Sequence, residues 1–425
     1  MCFLEMLKSI IVLIINFINS MYDITIIGSG PSSLLTLLYL VTHYGELNYV
    51  VISHKFKCFT CTYGVFLDQI EGSWIYDYLD KNKLFPHIID VDVNCSIEKN
   101  NKTPTKLKYG VLDNKYLYNS ILDIISIYNV DFISGNVTST YKNSYYNTTL
   151  FKQKLNTYII NSKFIIEGTG KLKHIGIDRN KQYKTFKQYF VGLKIQSLYH
   201  HTIPNVMLLD WYNPIGYNNK SFSYIIPYNS NTLLIEETVL ICDSDEVCKY
   251  ELLHKKLISR IKEYDITVYK TLKFEIDNIP LNYNIPLNTS VTFGIGQAGN
   301  IINNLSGYTI GTNIYHIPEI CETVIETNFN TKKVIDNYWC LKRRIINKIN
   351  NIGLNMMNDL SHSELTEFHQ YYFKHIVGTY NYRVCFLNCD SKEEFGWWKF
   401  MYSFKSYYHF PIKYWLKIGY YTLFS

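Results

Sequence analysis

Residues 22–53 read YDITIIGSGPSSLLTLLYLVTHYGELNYVVIS. A β-branched run ends in glycines, an apolar helix-like segment follows, and residues 49–52 give a second strand. This order predicts a βαβ unit whose turn, GxGxxS, carries Gly28, Gly30 and Ser33. Glycines let the chain turn tightly and let backbone N–H groups approach a pyrophosphate at the helix N-terminus. The motif is weak alone, but strand, turn, helix and strand all flank it, so a bound dinucleotide is expected. The second strand of such a unit normally ends in an acid that holds the ribose. Here Ser53 and His54 occupy that place, and a serine hydroxyl can still bond a ribose.

The strand-then-glycine theme recurs twice. Residues 164–170, FIIEGTG, run into Gly168 and Gly170, and residues 291–308, VTFGIGQAGNIINNLSGY, carry Gly294, Gly296 and Gly299 before another helix. Residues 206–211, 222–226 and 232–240 read as strands of a second sheet. Residues 112–128 have helical spacing, 130–137 and 158–166 read as strands, and the polar run 98–105 reads as a loop. Asp243 and Ser244 are placed to cap a helix reaching about residue 264. Three glycine turns after strands suit a flavin-type α/β dinucleotide fold with a substrate sheet inserted. The expected division is an apolar extension at 1–21, a nucleotide domain at 22–180 and 290–330, a β-rich substrate domain at 181–289, and a helical, aromatic-rich region at 331–425.

The 425 residues suffice for a large core, and the net charge of +6 is mild with no dense Lys/Arg run, so no nucleic-acid partner is expected. The ten cysteines form no metal framework; Cys58 and Cys61 make a lone CxxC and Cys385 and Cys389 stand alone, so no metal site is expected. The apolar run at 10–18 is too short to span a bilayer. Residues 395–425 are dense in Trp, Tyr and Phe, with lysines and no acid. Such residues suit a lipid headgroup region, so peripheral contact with a membrane surface is expected. No Ser/Arg-rich transit segment supports plastid import, and the compartment stays open, plastid included.

Residues 233–240 read LLIEETVL, two adjacent glutamates inside an apolar strand. Alternation sends Leu234, Glu236 and Thr238 to one face and Ile235, Glu237 and Val239 to the other. One carboxylate therefore faces wherever the core lies. That is either a solvated strand edge or a carboxyl group held in an apolar site for acid chemistry.

The set YDITIIGSGPS (22–32), YGVFLDQIE (63–71), YGVLDNKYL (109–117), EGTG (167–170), LLDWY (208–212), LLIEETVL (233–240) and GIGQAGNIINNLSGY (294–308) resembles the lycopene cyclases of plants and cyanobacteria, in order and approximate spacing. The likeness covers nearly all of the chain after Met21. It implies a Rossmann-like FAD-binding fold of the monooxygenase/reductase type. It also implies a redox-neutral cyclisation of the acyclic ψ end of lycopene that needs reduced FAD, with NAD(P)H as an indirect electron donor.

In the family the first glutamate of the FLEET-like pentad is most closely tied to catalysis, and it falls on Glu236. The resemblance thus implies Glu236 as acid or cation partner, Glu237 as a supporting charge and Asp210 lining the same cavity. Three cofactor-side positions depart from the family pattern. Ser53 replaces the acid, Asn114 replaces a basic residue although Lys115 stands next to it, and Asn303-Asn304 replaces a His-Pro. A lycopene β-cyclase is the leading expectation. Alternatives are an ε-ring former, a neoxanthin or capsanthin synthase type, a flavin monooxygenase or reductase, and a silent carotenoid- or lipid-binding homologue.

Overall fold

The computed structural model describes residues 21–96, 101–170, 175–179, 185–212, 220–243, 250–377 and 409–424. The extension at 1–20, Ser244, Cys385, Cys389 and residues 395–408 of the aromatic stretch lie outside the described residues.

Two sheets organise the chain. The first contains β1 (Met21–Ile27), β2 (Tyr49–Ser53), β6 (Val130–Ser134), β7 (Asn136–Lys142), β8 (Asn147–Gln153), β9 (Asn156–Glu167) and β15 (Phe293–Gly294). Its order is β6-β2-β1-β9-β8-β7, with β15 paired to β9. Strands β6, β2, β1, β9 and β15 run parallel, as a Rossmann-like half requires. The strand expected at 130–137 is two strands broken at Gly135.

Helix α1 (Pro31–His43) makes the crossover from β1 to β2 and is nearly all buried, because Leu34, Leu35, Leu37, Leu38 and Leu40 leave almost no polar face. Its core is shared with α4 (Ile310–Glu326) through Ile314, Ile317 and Val324. Between them in sequence lie α2 (Asn114–Ile125), capped by Asp113 accepting from the Tyr116 N–H, and α3 (Tyr250–Glu263).

The second sheet has the order β14-β10-β13-β12-β11-β4-β5-β3. Its strands are β3 (Gly64–Phe66), β4 (His87–Asn94), β5 (Thr103–Val111), β10 (Phe186–Ser197), β11 (Val206–Asp210), β12 (Ser221–Asn229), β13 (Thr232–Asp243) and β14 (Val268–Pro280). Three of these strands come from residues 64–111. The expected boundary, which gave this sheet only residues 181–289, is therefore corrected: β4 enters beside β11 in parallel and brings β5 and β3 with it. Such a long-range pairing has no local signature.

The second sheet is covered on both faces. Helix α3 packs on one, where Leu253, Leu257 and Ile261 meet Val191, Ile225 and Ile235. After α5 (Thr331–Tyr338), the helices α6 (Leu341–Asp359), α7 (His362–His375) and α8 (Ile412–Phe424) stand over the other, where Leu354, Leu365 and Tyr414 share a core with Ile226 and Leu234.

Candidate active site

The nucleotide-type turn forms as expected. Gly28 takes φ +98°, and a Cβ there would stand 2.9 Å from the Gly168 carbonyl oxygen. A Cβ on Gly168 would in turn collide with the Ser33 hydroxyl, which donates to the Gly168 carbonyl at 3.4 Å. The first two glycine turns thus press together beside the N-terminus of α1, and Gly30, Gly168 and Gly170 line one end of a cavity.

Gly294 and Gly299 serve each other instead. A Cβ on Gly294 would meet the Gly299 Cα at 2.7 Å, so their smallness permits backbone to pack on backbone. Gly296, at φ +61°, holds the third turn against Ser32. Ser53 ends β2 with its hydroxyl 2.9 Å from that of Ser29, in the crevice where the acid would stand. Lys115 is exposed and absent from the cavity wall. Its neighbour Asn114 donates to the carbonyls of Phe59 (3.2 Å) and Cys61 (2.6 Å) and so fastens the loop that closes one side. Gly28→Ala is expected to destabilise the fold by about 1–3 kcal/mol, because positive φ and the Gly168 carbonyl both oppose a methyl. A denaturant midpoint measures it, and an unchanged midpoint would overturn the close-contact reading.

The cavity has a volume of about 760 Å³. From the glycine turns it passes over the second sheet to helices α6, α7 and α8, where Met356, Phe368, Tyr372, Trp415 and Ile418 enclose it. The sheet supplies its floor by alternation: Phe222 and Tyr224 from β12, Glu236, Thr238 and Leu240 from β13, Gln188 and Phe190 from β10, and Glu275, Asp277 and Ile279 from β14. Most of the wall is apolar, which suits a long hydrocarbon.

Glu236 and Glu237 divide between the two faces. The carboxyl group of Glu236 lines the cavity and accepts from the Thr238 hydroxyl at 2.7 Å. Burial pushes its pKa up to about 8; the Thr238 bond opposes this, and the charges of Glu275 and Glu237 add to it. At neutral pH it is a carboxylic acid in an apolar chamber.

Glu237 is 1% exposed on the opposite face, under α3. Arg260 Nε lies 3.1 Å from its carboxylate, and the Ser223 hydroxyl donates to it. Asp210, expected to line the cavity, is found beside Glu237 instead. It accepts from Arg260 Nη1 (3.0 Å), Tyr264 (2.8 Å) and Asn94 (2.8 Å). The reason is a register shift in β11 after Met207, which breaks strict alternation. Leu208 and Leu209 therefore both reach the cavity wall, and Asp210 turns to the back.

Several cavity residues had no role assigned from the sequence, although Tyr109 and Tyr308 stand in two of the motifs quoted above. Tyr109, Tyr224 and Tyr308 stand close around Glu236, with the Tyr224 hydroxyl donating to Tyr109 at 2.6 Å. Burial holds the phenols of Tyr109 and Tyr224 well above their ordinary value, so they stay neutral donors. His369 lines the far end. Burial pulls its imidazole down to about 4, and neutral Nδ1 bonds the Leu365 carbonyl at 2.7 Å. Neither the tyrosine cluster nor His369 lies near Glu236 in sequence. Among the described residues no group of three or more His, Cys, Asp or Glu could hold a metal ion.

Fold and cavity together define a protein of the flavoprotein class, a Rossmann-like FAD-binding fold whose nucleotide half opens onto an apolar chamber built on a second sheet. Solved structures agree. A geranylgeranyl bacteriochlorophyll reductase-like protein from Thermoplasma acidophilum aligns with a TM-score of 0.64 at 12% identity, over 91% of this chain and 98% of its own. A flavoprotein/dehydrogenase from Cytophaga hutchinsonii aligns with a TM-score of 0.55 at 12% identity, over 84% and 89%. Within that class the chain belongs to the lycopene cyclase family, since the family model described as lycopene cyclase protein matches residues 23–378.

Relatives include the chromoplastic capsanthin/capsorubin synthase of Citrus sinensis, 20% identical over 83% of this chain and 71% of that protein. The chloroplastic neoxanthin synthase of Solanum tuberosum is 22% identical over 79% and 69%. The chloroplastic lycopene beta cyclase of Nicotiana tabacum is 22% identical over 74% of this chain, which spans 62% of that enzyme's length.

Proposed function

We propose that this protein is a carotenoid cyclase that closes the ψ end group of lycopene into a β-type ring by acid-initiated, redox-neutral isomerisation. The observation that carries the reading is Glu236, a carboxyl group kept protonated by burial on the floor of a long apolar cavity. An isolated alkene is a weak base, so its protonation needs a positioned acid in a dry site. The cation that follows needs electron-rich surroundings, which the rings of Tyr109, Tyr224 and Tyr308 supply from the same wall.

The cradle of Gly28, Gly30, Gly168 and Gly170, with Ser29 and Ser53 at the ribose end, fits the narrow backbone approach that FAD requires. When bound, reduced FAD supplies an electron-rich ring that favours positive charge nearby. NAD(P)H is the expected indirect source of its electrons.

Helix α8 supports membrane contact. Ile412, Leu416, Tyr420 and Leu423 form an exposed apolar row, whereas Trp415 and Ile418 of the same helix line the cavity. A hydrocarbon substrate dissolved in lipid would meet this helix first. Among the described residues no helix is long and apolar enough to cross a membrane, so the contact proposed is peripheral. The plastid names of the relatives make a plastid membrane the first place to look.

The full chain expressed in a lycopene-accumulating bacterium is expected to yield γ- or β-carotene on chromatography, and the purified protein to carry flavin absorbance. Unchanged lycopene would overturn the cyclase reading. A second reading, an epoxy-carotenoid enzyme, is favoured by the synthase names of two relatives. It predicts conversion of an epoxy-carotenoid supplied to the purified protein and none of lycopene.

A further inference from the structure

One transverse row of the second sheet carries more chemistry than Glu236. In β12, β13, β10 and β14 the residues directly opposite one another are Tyr224, Glu236, Gly192 and Glu275. Directly paired residues point to the same face, so both glutamates stand on the cavity floor, and both line the cavity. Adjacent strands are spaced by about 4.8 Å, which sets their Cα atoms about 10 Å apart with one strand between. The residue on that strand is glycine. A Cβ on Gly192 would lie 3.5 Å from Glu236 Cγ and 3.6 Å from Oε2, so the missing side chain leaves a gap beside the acid.

The next row is built differently. There Thr238, Phe190 and Asp277 are paired, and the Phe190 ring fills the middle position. Of these two rows, that of Glu236 opens a gap between two carboxyl groups.

The two glutamates also differ in their surroundings. Glu275, 7% exposed, accepts from the Thr62 hydroxyl at 2.6 Å and the Thr62 N–H at 3.1 Å, and Lys273 Nζ lies 2.6 Å away. Convergent donors, one of them an ammonium, are the setting of a carboxylate anion. Glu236 receives the Thr238 hydroxyl and, among the described residues, no cation. Environments that hold one of a pair neutral and the other charged assign acid and base.

We infer that Glu275 is a second catalytic residue, the base that takes up the proton released when the ring closes over Gly192. The inference rests on the cyclase reading above. Glu236 gives its proton to one carbon of the terminal alkene, and the neighbouring carbon becomes cationic. The π pair of the next alkene forms the ring C–C bond and moves the charge to a ring carbon. A C–H bond beside that carbon breaks, its electrons become the ring double bond, and its proton goes to Glu275. One proton enters and one leaves, with no oxidant or reductant consumed. The position of Glu275 then selects which C–H bond breaks, hence the ring type.

The test pairs Glu275→Gln with Glu275→Asp, Asp277→Asn and the unaltered protein in the lycopene host. Gln keeps an oxygen for the Thr62 N–H and removes the base. Conversion is expected to fall about 10²-fold with Gln. Partial recovery with Asp, accompanied by a changed ratio of β to ε rings, is expected too, and a purely structural role would not move that ratio. An unaltered protein that cyclises beside an equally active Glu275→Gln variant overturns the role of Glu275 alone, as does loss of activity in Asp277→Asn only. An unaltered protein that leaves lycopene untouched overturns both.

A readout without turnover accompanies these. The carbonyl stretch of protonated Glu236 is identified in the infrared by its loss in Glu236→Gln and followed with pH. The other titratable groups on the cavity wall, Cys61, Tyr63, Tyr109, Tyr224, Tyr308, Tyr372, Asp277 and His369, are present in both proteins compared. Removing the negative neighbour in Glu275→Gln should move the Glu236 midpoint to lower pH, and an unmoved midpoint rejects the pairing.

Discussion

Glu236→Gln is expected to abolish ring formation while leaving the fold intact. The amide keeps the shape and accepts the Thr238 hydroxyl bond, but it has no proton to give to an alkene. General acid catalysis typically contributes about 10²–10⁴-fold, and the only other neutral acid on the same row, the Tyr224 phenol, is held well above its ordinary pKa and is a far weaker donor, so loss should fall at the upper end. Full activity in this variant would remove Glu236 from the chemistry.

The pH dependence has a definite sign. The protonated form is the active one, so conversion should hold below about pH 8 and decline as pH rises through it. Stability follows the same group. Its folded pKa of about 8 lies above the ordinary 4.5, so its stabilising contribution is complete below 4.5 and is lost as pH rises toward 8. Denaturant midpoints of the unaltered protein should therefore fall as pH rises from about 4.5 to about 8, and those of Glu236→Gln should fall less. Parallel pH curves for the two proteins would show that the carboxyl group is not held neutral.

The glycine turns were legible because their constraint is local: Gly28 needs positive φ and a close carbonyl whatever the rest of the chain does. The opposed faces of Glu236 and Glu237 were legible for the same reason, since alternation is a property of one strand. Asp210 was misplaced because a register shift in β11 is invisible until its neighbours β4 and β12 are known. Glu275 had no signal at all. It meets Glu236 only because β10 pairs with β13 on one side and β14 on the other, a juxtaposition across 39 residues of chain. Strands β3, β4 and β5 were assigned to the wrong half by the same kind of long-range pairing.

Arg260→Leu is expected to cost about 3–5 kcal/mol of stability, the penalty for leaving buried charges without their partner. Arg260 is 1% exposed and clamps two carboxylates from different strands, Glu237 at 3.1 Å and Asp210 at 3.0 Å, while its remaining nitrogen bonds the Tyr212 carbonyl. Leucine fills much of the space but strands both acids under α3. Lys256 is the cation left nearby, yet burial already pulls its ammonium down to about 8 and its Nζ is bonded to Ser221 at 2.9 Å, so it compensates poorly. Against a typical total of about 5–15 kcal/mol, the loss should be plain in a denaturant midpoint. Adding Glu237→Gln and Asp210→Asn to Arg260→Leu should recover much of it, because the stranded charges go with the clamp. A cost below about 1 kcal/mol, or no recovery in the triple variant, would show that the network is not electrostatically coupled. The same variant reaches the chemistry indirectly. Glu237 and Glu236 are consecutive on β13, so releasing one from its anchor loosens the backbone that aims the other. Conversion should then fall with Arg260→Leu and return in part with the triple variant, even though none of the three residues lines the cavity.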